Sequence, residues 1–77
     1  MGQMHYIAER GPERFEIVEG GGEGFYVYRY QDGLCTHDYL QDDIAMAYEC
    51  AEDEFGLNRS AWRAALPGEI PLMEKGR

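Results

Sequence analysis

The hydrophobic pattern of this chain changes period partway along: it alternates from Arg14 to Leu40, then returns every three or four residues from Asp43 to Leu57. The second stretch predicts one amphipathic helix. With Ile44 at zero and about 100° per residue, Leu40, Ala47, Tyr48, Ala51 and Phe55 fall within about 60° of it, while Asp42, Glu49 and Asp53 lie opposite. Asp42 or Asp43 can accept from the free N–H groups of the first turn, and Gly56 followed by Leu57 supplies a Schellman-type stop. The helix is therefore expected over residues 43–55.

The alternating stretch predicts strands. Met4 to Glu9 (MHYIAE) has weak strand character and runs into the turn signal Arg10-Gly11-Pro12, so it is read as an edge strand. Arg14 to Glu19 (RFEIVE) sets Phe15 and Ile17 against Arg14 and Glu16, the period of a half-buried strand. A glycine-rich loop over 20–24 then leads into Phe25 to Gln31 (FYVYRYQ), dense in aromatic and β-branched residues. Asp32-Gly33 is the type I′ hairpin dipeptide, and a two-residue loop there pairs Gln31 with Leu34. Counting back sets Tyr30 opposite Cys35, Tyr28 opposite His37, Tyr26 opposite Tyr39, Val27 opposite Asp38 and Phe25 opposite Leu40.

If Glu19 faces Phe25, one sheet face carries Phe15, Ile17, Phe25, Val27 and Leu40. The other carries Val18, Tyr26, Tyr28, Tyr30, Cys35, His37 and Tyr39. The first face suits the helix stripe better because it leaves no hydroxyl to satisfy inside, so the tyrosine face is expected to look outward.

After Leu57, Asn58 or Ser60 can cap a short second helix in which Trp62, Ala65 and Leu66 share a side, ended by Pro67-Gly68. Trp62 is expected to plug the open end of the core. Residues 69–77 contain Ile70, Leu72 and Met73 without periodicity and read as a loose tail behind a single domain over 1–68. The expected fold is α+β: a three- or four-stranded antiparallel meander (strands 14–19, 25–31 and 34–40, with 4–9 as the fourth), one long amphipathic helix across one face, and a short C-terminal helix.

Size changes this picture by making assembly attractive. A chain of 77 residues buries only about 60% of the surface its unfolded form exposes, and such scaffolds lean on disulfides, a metal, oligomerisation or unusually good packing. Two cysteines and two histidines, scattered along the chain, give no disulfide or zinc framework, which moves oligomerisation up the list. The net charge of −8 is concentrated, since residues 38–57 hold seven acids and no base. Such a surface repels phosphate backbones and anionic lipid, so neither nucleic acid nor membrane is an expected partner. With no 18-residue apolar run and no signal peptide, the expected setting is cytoplasmic with reduced thiols.

Candidate chemistry is sparse. Cys35 and His37, two apart on one strand face, form the nearest thing to a thiolate and imidazole pair or two metal ligands, but no third ligand or orienting group accompanies them. Cys50 has no histidine near it in sequence. The glycine loop lacks the Lys-Ser/Thr of a phosphate loop, and Asp42-Asp43 and Glu52-Asp53-Glu54 lack the alternating spacing of a calcium loop. No enzyme, metal or cofactor is expected.

The middle of the chain resembles a group of small uncharacterised bacterial proteins with a glycine-led aromatic strand, a turn, a short strand, and a helix ending Glu-Phe-Gly before a tryptophan. The matching residues are Gly24-Phe25-Tyr26-Val27-Tyr28-Arg29-Tyr30, Asp32-Gly33, Asp38, Ile44, Ala47, Ala51, Glu54-Phe55-Gly56 and Trp62, so the likeness spans about 24–62. Leu40 stands where that pattern often has a tryptophan. The resemblance carries no catalytic residue, and some of the group look like toxin-immunity genes.

Two function classes follow. In one, Tyr26, Tyr28, Tyr30, His37 and Tyr39 form an aromatic contact face through which the chain self-associates, expected as a homodimer, or binds a partner. In the other, Asp42, Glu49 and Asp53 form an acidic helix face that inhibits a basic protein partner, as an immunity protein would.

Overall fold

A computed structural model describes residues 3–75 of the chain. The strands are β1 (His5–Arg10), β2 (Glu13–Glu19), β3 (Phe25–Gln31), β4 (Leu34–Gln41) and β5 (Arg63–Ala64). They form one antiparallel sheet in the order β4-β3-β2-β1-β5, so the first four are a meander and β5 returns to the outer side of β1. The fold is α+β, as expected, with one strand more than the sequence predicts.

Local chemistry sets the turns. Asp32 and Gly33 both take positive φ, 52° and 85°, as a type I′ hairpin requires. Gly24, at φ 131°, lies so close to β4 that any Cβ would collide with the Gln41 carbonyl.

Helix α1 (Ile44–Phe55) begins at Asp43, whose side chain accepts from the Met46 N–H at 2.8 Å. It ends at Gly56, φ 73°, with the Gly56 N–H on the Glu52 carbonyl at 3.0 Å and the Leu57 N–H on that of Ala51 at 3.4 Å. Arg10 of β1 donates to the Phe55 carbonyl at 2.8 Å, placing a cation at the negative end of the helix.

The helix crosses the face carrying Phe15, Ile17 and Val27, against which Ala47 and Ala51 are fully buried. Small side chains at those two positions let the helix lie close, while Tyr6, Phe25, Tyr39, Ile44, Tyr48, Phe55 and Trp62 pack around the cluster. Trp62 meets Tyr48 edge-on, ring centroids 6.1 Å apart, at the end of the core where the sequence places it.

Past Leu57 the chain departs from expectation. The short helix carrying Trp62, Ala65 and Leu66 is absent; in its place Arg59–Ala61 forms a single 3₁₀ turn capped by Asn58, and Arg63–Ala64 becomes β5. Extension there lets Tyr6 and Ile7 of β1 pair with Ala64 and Arg63. The strand read as an edge from 4–9 thus has a neighbour on each side. A short helix α2 (Leu72–Lys75) lies within the stretch expected to be loose. Residues 69–73 there make contacts described below, and 76–77 lie outside the described residues.

The register of β4 is the main correction. The pairs Gln31–Leu34 and Tyr30–Cys35 form as counted, but then the chain bulges at Thr36, so that Arg29 pairs with His37, Tyr28 with Asp38, Val27 with Tyr39, Tyr26 with Leu40 and Phe25 with Gln41. Thr36 Oγ1 holds the bulge by donating to the Arg29 carbonyl at 3.3 Å and accepting from Arg29 Nη1 at 2.7 Å. A shift of one residue exchanges the faces of everything beyond it. His37 and Tyr39 consequently lie on the helix side, where both rings meet Phe55 at 5.7 and 6.1 Å, and Leu40 leaves the helix side and is 51% exposed.

Candidate functional site

The sheet face opposite the helix combines a buried polar centre with an open aromatic margin. Alternation along β1, β2 and β3 puts His5, Ile7, Arg14, Glu16, Val18, Tyr26, Tyr28 and Tyr30 on this side. Glu16 in the middle of β2 has no exposed surface at all. Burying a carboxylate is costly unless donors surround it, and here they do. His5 Nε2 lies 2.8 Å from Oε1, Arg14 Nε donates to Oε2 at 2.7 Å, and the Leu72 N–H is shared between both oxygens at 3.2 Å each.

The cover over Glu16 is the segment 69–73. Its first anchor is Glu69, bound by Arg63 Nη1 and Nη2 at 3.1 and 3.2 Å and by the Leu66 N–H at 2.9 Å, with Arg14 Nη2 at 3.8 Å. The Arg63 guanidinium and the Leu66 N–H hold the Glu69 carboxyl down at about 2. Tyr30, 2% exposed, lies under the same segment, its hydroxyl beside the Met73 backbone but outside hydrogen-bond geometry. Burial, with the Glu16 carboxylate nearby, raises the pKa of the Tyr30 phenol. Tyr30 is therefore removed from the exposed aromatic face that the sequence predicts.

Two hollows flank the segment. One, of about 380 Å³, runs between His5, Tyr6 and the stretch 64–67, and the other, of about 310 Å³, lies between Val18, Tyr26, Tyr28, Pro71 and Met73.

At the margin, Tyr26 and Tyr28 stack with ring centroids 5.8 Å apart and planes 10° from parallel. Gly20 makes room for the Tyr26 ring, since a Cβ there would stand 2.7 Å from Cε2, and the Tyr26 hydroxyl donates to Glu23 at 2.5 Å. That bond to a carboxylate is the main reason the Tyr26 phenol is raised. Tyr26, Tyr28, Asp38, Tyr39 and Leu40 line a shallow hollow of about 180 Å³ beside β4, the open edge of the sheet.

Of the residues expected on this face, Tyr26, Tyr28 and Tyr30 are there and His37 and Tyr39 are not. Tyr39 instead donates its hydroxyl to Glu54 of the helix at 3.2 Å. The bulge also separates Cys35 from His37: Cys35 pairs with Tyr30 on one side of the sheet, while His37 turns to Phe55 on the other. Leu40 replaces them at the margin, and sequence alternation could reveal it only if the Thr36 bulge were known. In the sequence Glu16 and Arg14 are merely the polar half of an alternating strand.

Glu49 and Asp53 are exposed on the helix as expected, whereas Asp42, also exposed, precedes the Asp43 cap and so lies beside the helix start rather than on its face. The ion pairs among the described residues all lie elsewhere, joining Arg10 and Arg29 to Glu13, Arg14 to Glu9, Glu16 and Glu69, Arg63 to Glu69, and His5 to Glu16. No helix among the described residues is long and apolar enough to cross a membrane. Compared with protein-family models, with curated proteins and with solved structures, the chain finds no match.

Proposed function

We propose that this chain is a non-enzymatic interaction module that pairs with a second copy of itself through the margin formed by Tyr26, Tyr28 and Leu40. The observation that carries the reading is the stacked tyrosine pair beside a half-exposed leucine at an open sheet edge. Tyrosine brings large contact area at little cost in side-chain entropy, and its hydroxyl can stay wet at a rim. A small domain without staples gains most from such cover, and two-fold pairing is the commonest closed form. The separation of Cys35 from His37 supports a binding role over catalysis.

Sedimentation over a concentration series tests this. The expected result is a dimer that Leu40→Lys or Tyr28→Ser weakens by about tenfold in dissociation constant, the equivalent of roughly 1.4 kcal/mol. Leu40 is exposed enough that its replacement leaves the monomer folded. A monomer at high micromolar concentration overturns the reading.

A second reading is favoured by Asp42, Glu49 and Asp53, exposed and outside every ion pair among the described residues. It makes the helix face the contact for a basic protein, as in immunity-type inhibitors, and steering by charge would make that association weaken steeply with salt. A toxin-like gene beside this one, with a product that binds the chain at low salt, would select it.

A further inference from the structure

We propose that segment 69–73 is exchanged between copies, each seating its Glu69 and Leu72 on the other's Arg63 and Glu16; the proposal rests on the reading that the chain self-associates. Three observations lead there. The contacts that hold the segment belong to the face beneath it: the Arg63 guanidinium takes Glu69, and the fully buried Glu16 carboxylate takes the Leu72 N–H. A second copy offers the same groups at the same spacing, so exchange loses none of these bonds.

The link between segment and body is a tight turn. The Glu69 N–H bonds to the Leu66 carbonyl at 2.9 Å around Pro67-Gly68, with Gly68 at φ 85°. Pro67 and Gly68 are exposed, so opening the turn uncovers no core. The hinge is short, and extending it gives up only this one backbone bond.

The third observation points to a second copy in particular. Leu66 and Ile70, on either side of the turn, are 67% and 42% exposed. In an exchanged pair the two extended hinges run beside each other, and these leucines and isoleucines would cover one another. Within a single copy much of both side chains stays open.

The test is made on the full chain. In a dimer mixed from isotope-labelled and unlabelled copies, the Met73 backbone N–H of one copy should give nuclear Overhauser contacts to the Tyr30 ring of the other. Inserting Gly-Ser-Gly-Ser between Pro67 and Gly68 lets the segment seat within its own copy, so the dissociation constant of the dimer should rise by at least about tenfold. A dimer that keeps its affinity after the insertion, with Met73 contacts only within one copy, overturns exchange and leaves pairing through Tyr26, Tyr28 and Leu40 intact. A chain that stays monomeric throughout overturns both.

Discussion

On the helix side of the sheet Phe15, Ile17 and Val27 are sealed by Ala47 and Ala51, whereas on the other side Glu16 and Tyr30 are sealed just as fully by residues 69–73. The first burial needs only shape and apolar area, and most side chains of the right volume would serve. The second depends on the donors that His5, Arg14 and the Leu72 N–H bring to the Glu16 carboxylate, because an unpartnered charge in such a place costs far more than a lost contact. The sheet thus has a core made by hydrophobicity and a seal made by polar matching, and only the second can be undone by titrating or moving a single segment.

The largest effect is expected on the helix side. Phe15 is fully buried, its ring 5.1 Å from that of Phe55, and Phe15→Ala should cost about 3–5 kcal/mol, comparable to the whole stability of a small domain. Urea titration measures it. A loss under about 1 kcal/mol would mean that this face does not hold the fold together.

On the other face, Glu16→Ala should cost about 3 kcal/mol by leaving Arg14, His5 and the Leu72 N–H without their acceptor, and Glu16→Gln, which keeps one oxygen, should cost less. Paired unfolding curves decide the matter. Equal losses would show that volume, not matching, sets the cost, and the contrast between the faces would fall.

A smaller effect should follow pH. Bonding to Arg63 and the Leu66 N–H depresses the Glu69 carboxyl from 4.5 to about 2 in the fold. Its contribution is therefore complete above about 4.5 and is lost as pH falls toward about 2. Thermal melts across that window should show Glu69→Gln less sensitive to acid than the natural chain. An identical slope in both would place the acid response elsewhere.

The smallest effect is expected from the acids on and just before the helix. Neutralising Asp42, Glu49 and Asp53 together to Asn or Gln should leave stability within about 0.5 kcal/mol or raise it, since they are exposed and gain relief from mutual repulsion. A marked fall in the melting temperature would reveal a structural partner for one of them.

What could be read in the chain depended on how far apart the deciding atoms lie. Asp43 caps a residue three positions on, Gly56 closes the helix it ends, and Asp32-Gly33 bends at its own two residues, so all three were legible. The β4 register was legible only as far as Cys35, because beyond it Thr36 answers to Arg29, and Arg29 in turn is held by Glu13 across the sheet at 2.8 and 2.9 Å. Nothing in the stretch LCTHDYL marks that dependence. Residues 63–64 and 69–73 were missed for the same reason, their partners being Tyr6, Ile7 and Glu16.

By itself, then, the sequence determined the elements whose causes are local: the helix with its caps, the hairpin turn, and the alternation that gives β2 and β3 one apolar face and one polar and aromatic face. Only the tertiary structure decided which side chains the aromatic face keeps, sending His37 and Tyr39 to the helix, raising Leu40 in their place and burying Tyr30 and Glu16 beneath residues 69–73. The physical reason is that a local preference acts through a few neighbouring bonds. A one-residue bulge and a chain segment crossing a sheet are fixed by hydrogen bonds to groups up to 56 positions away, which exist only once the sheet has formed.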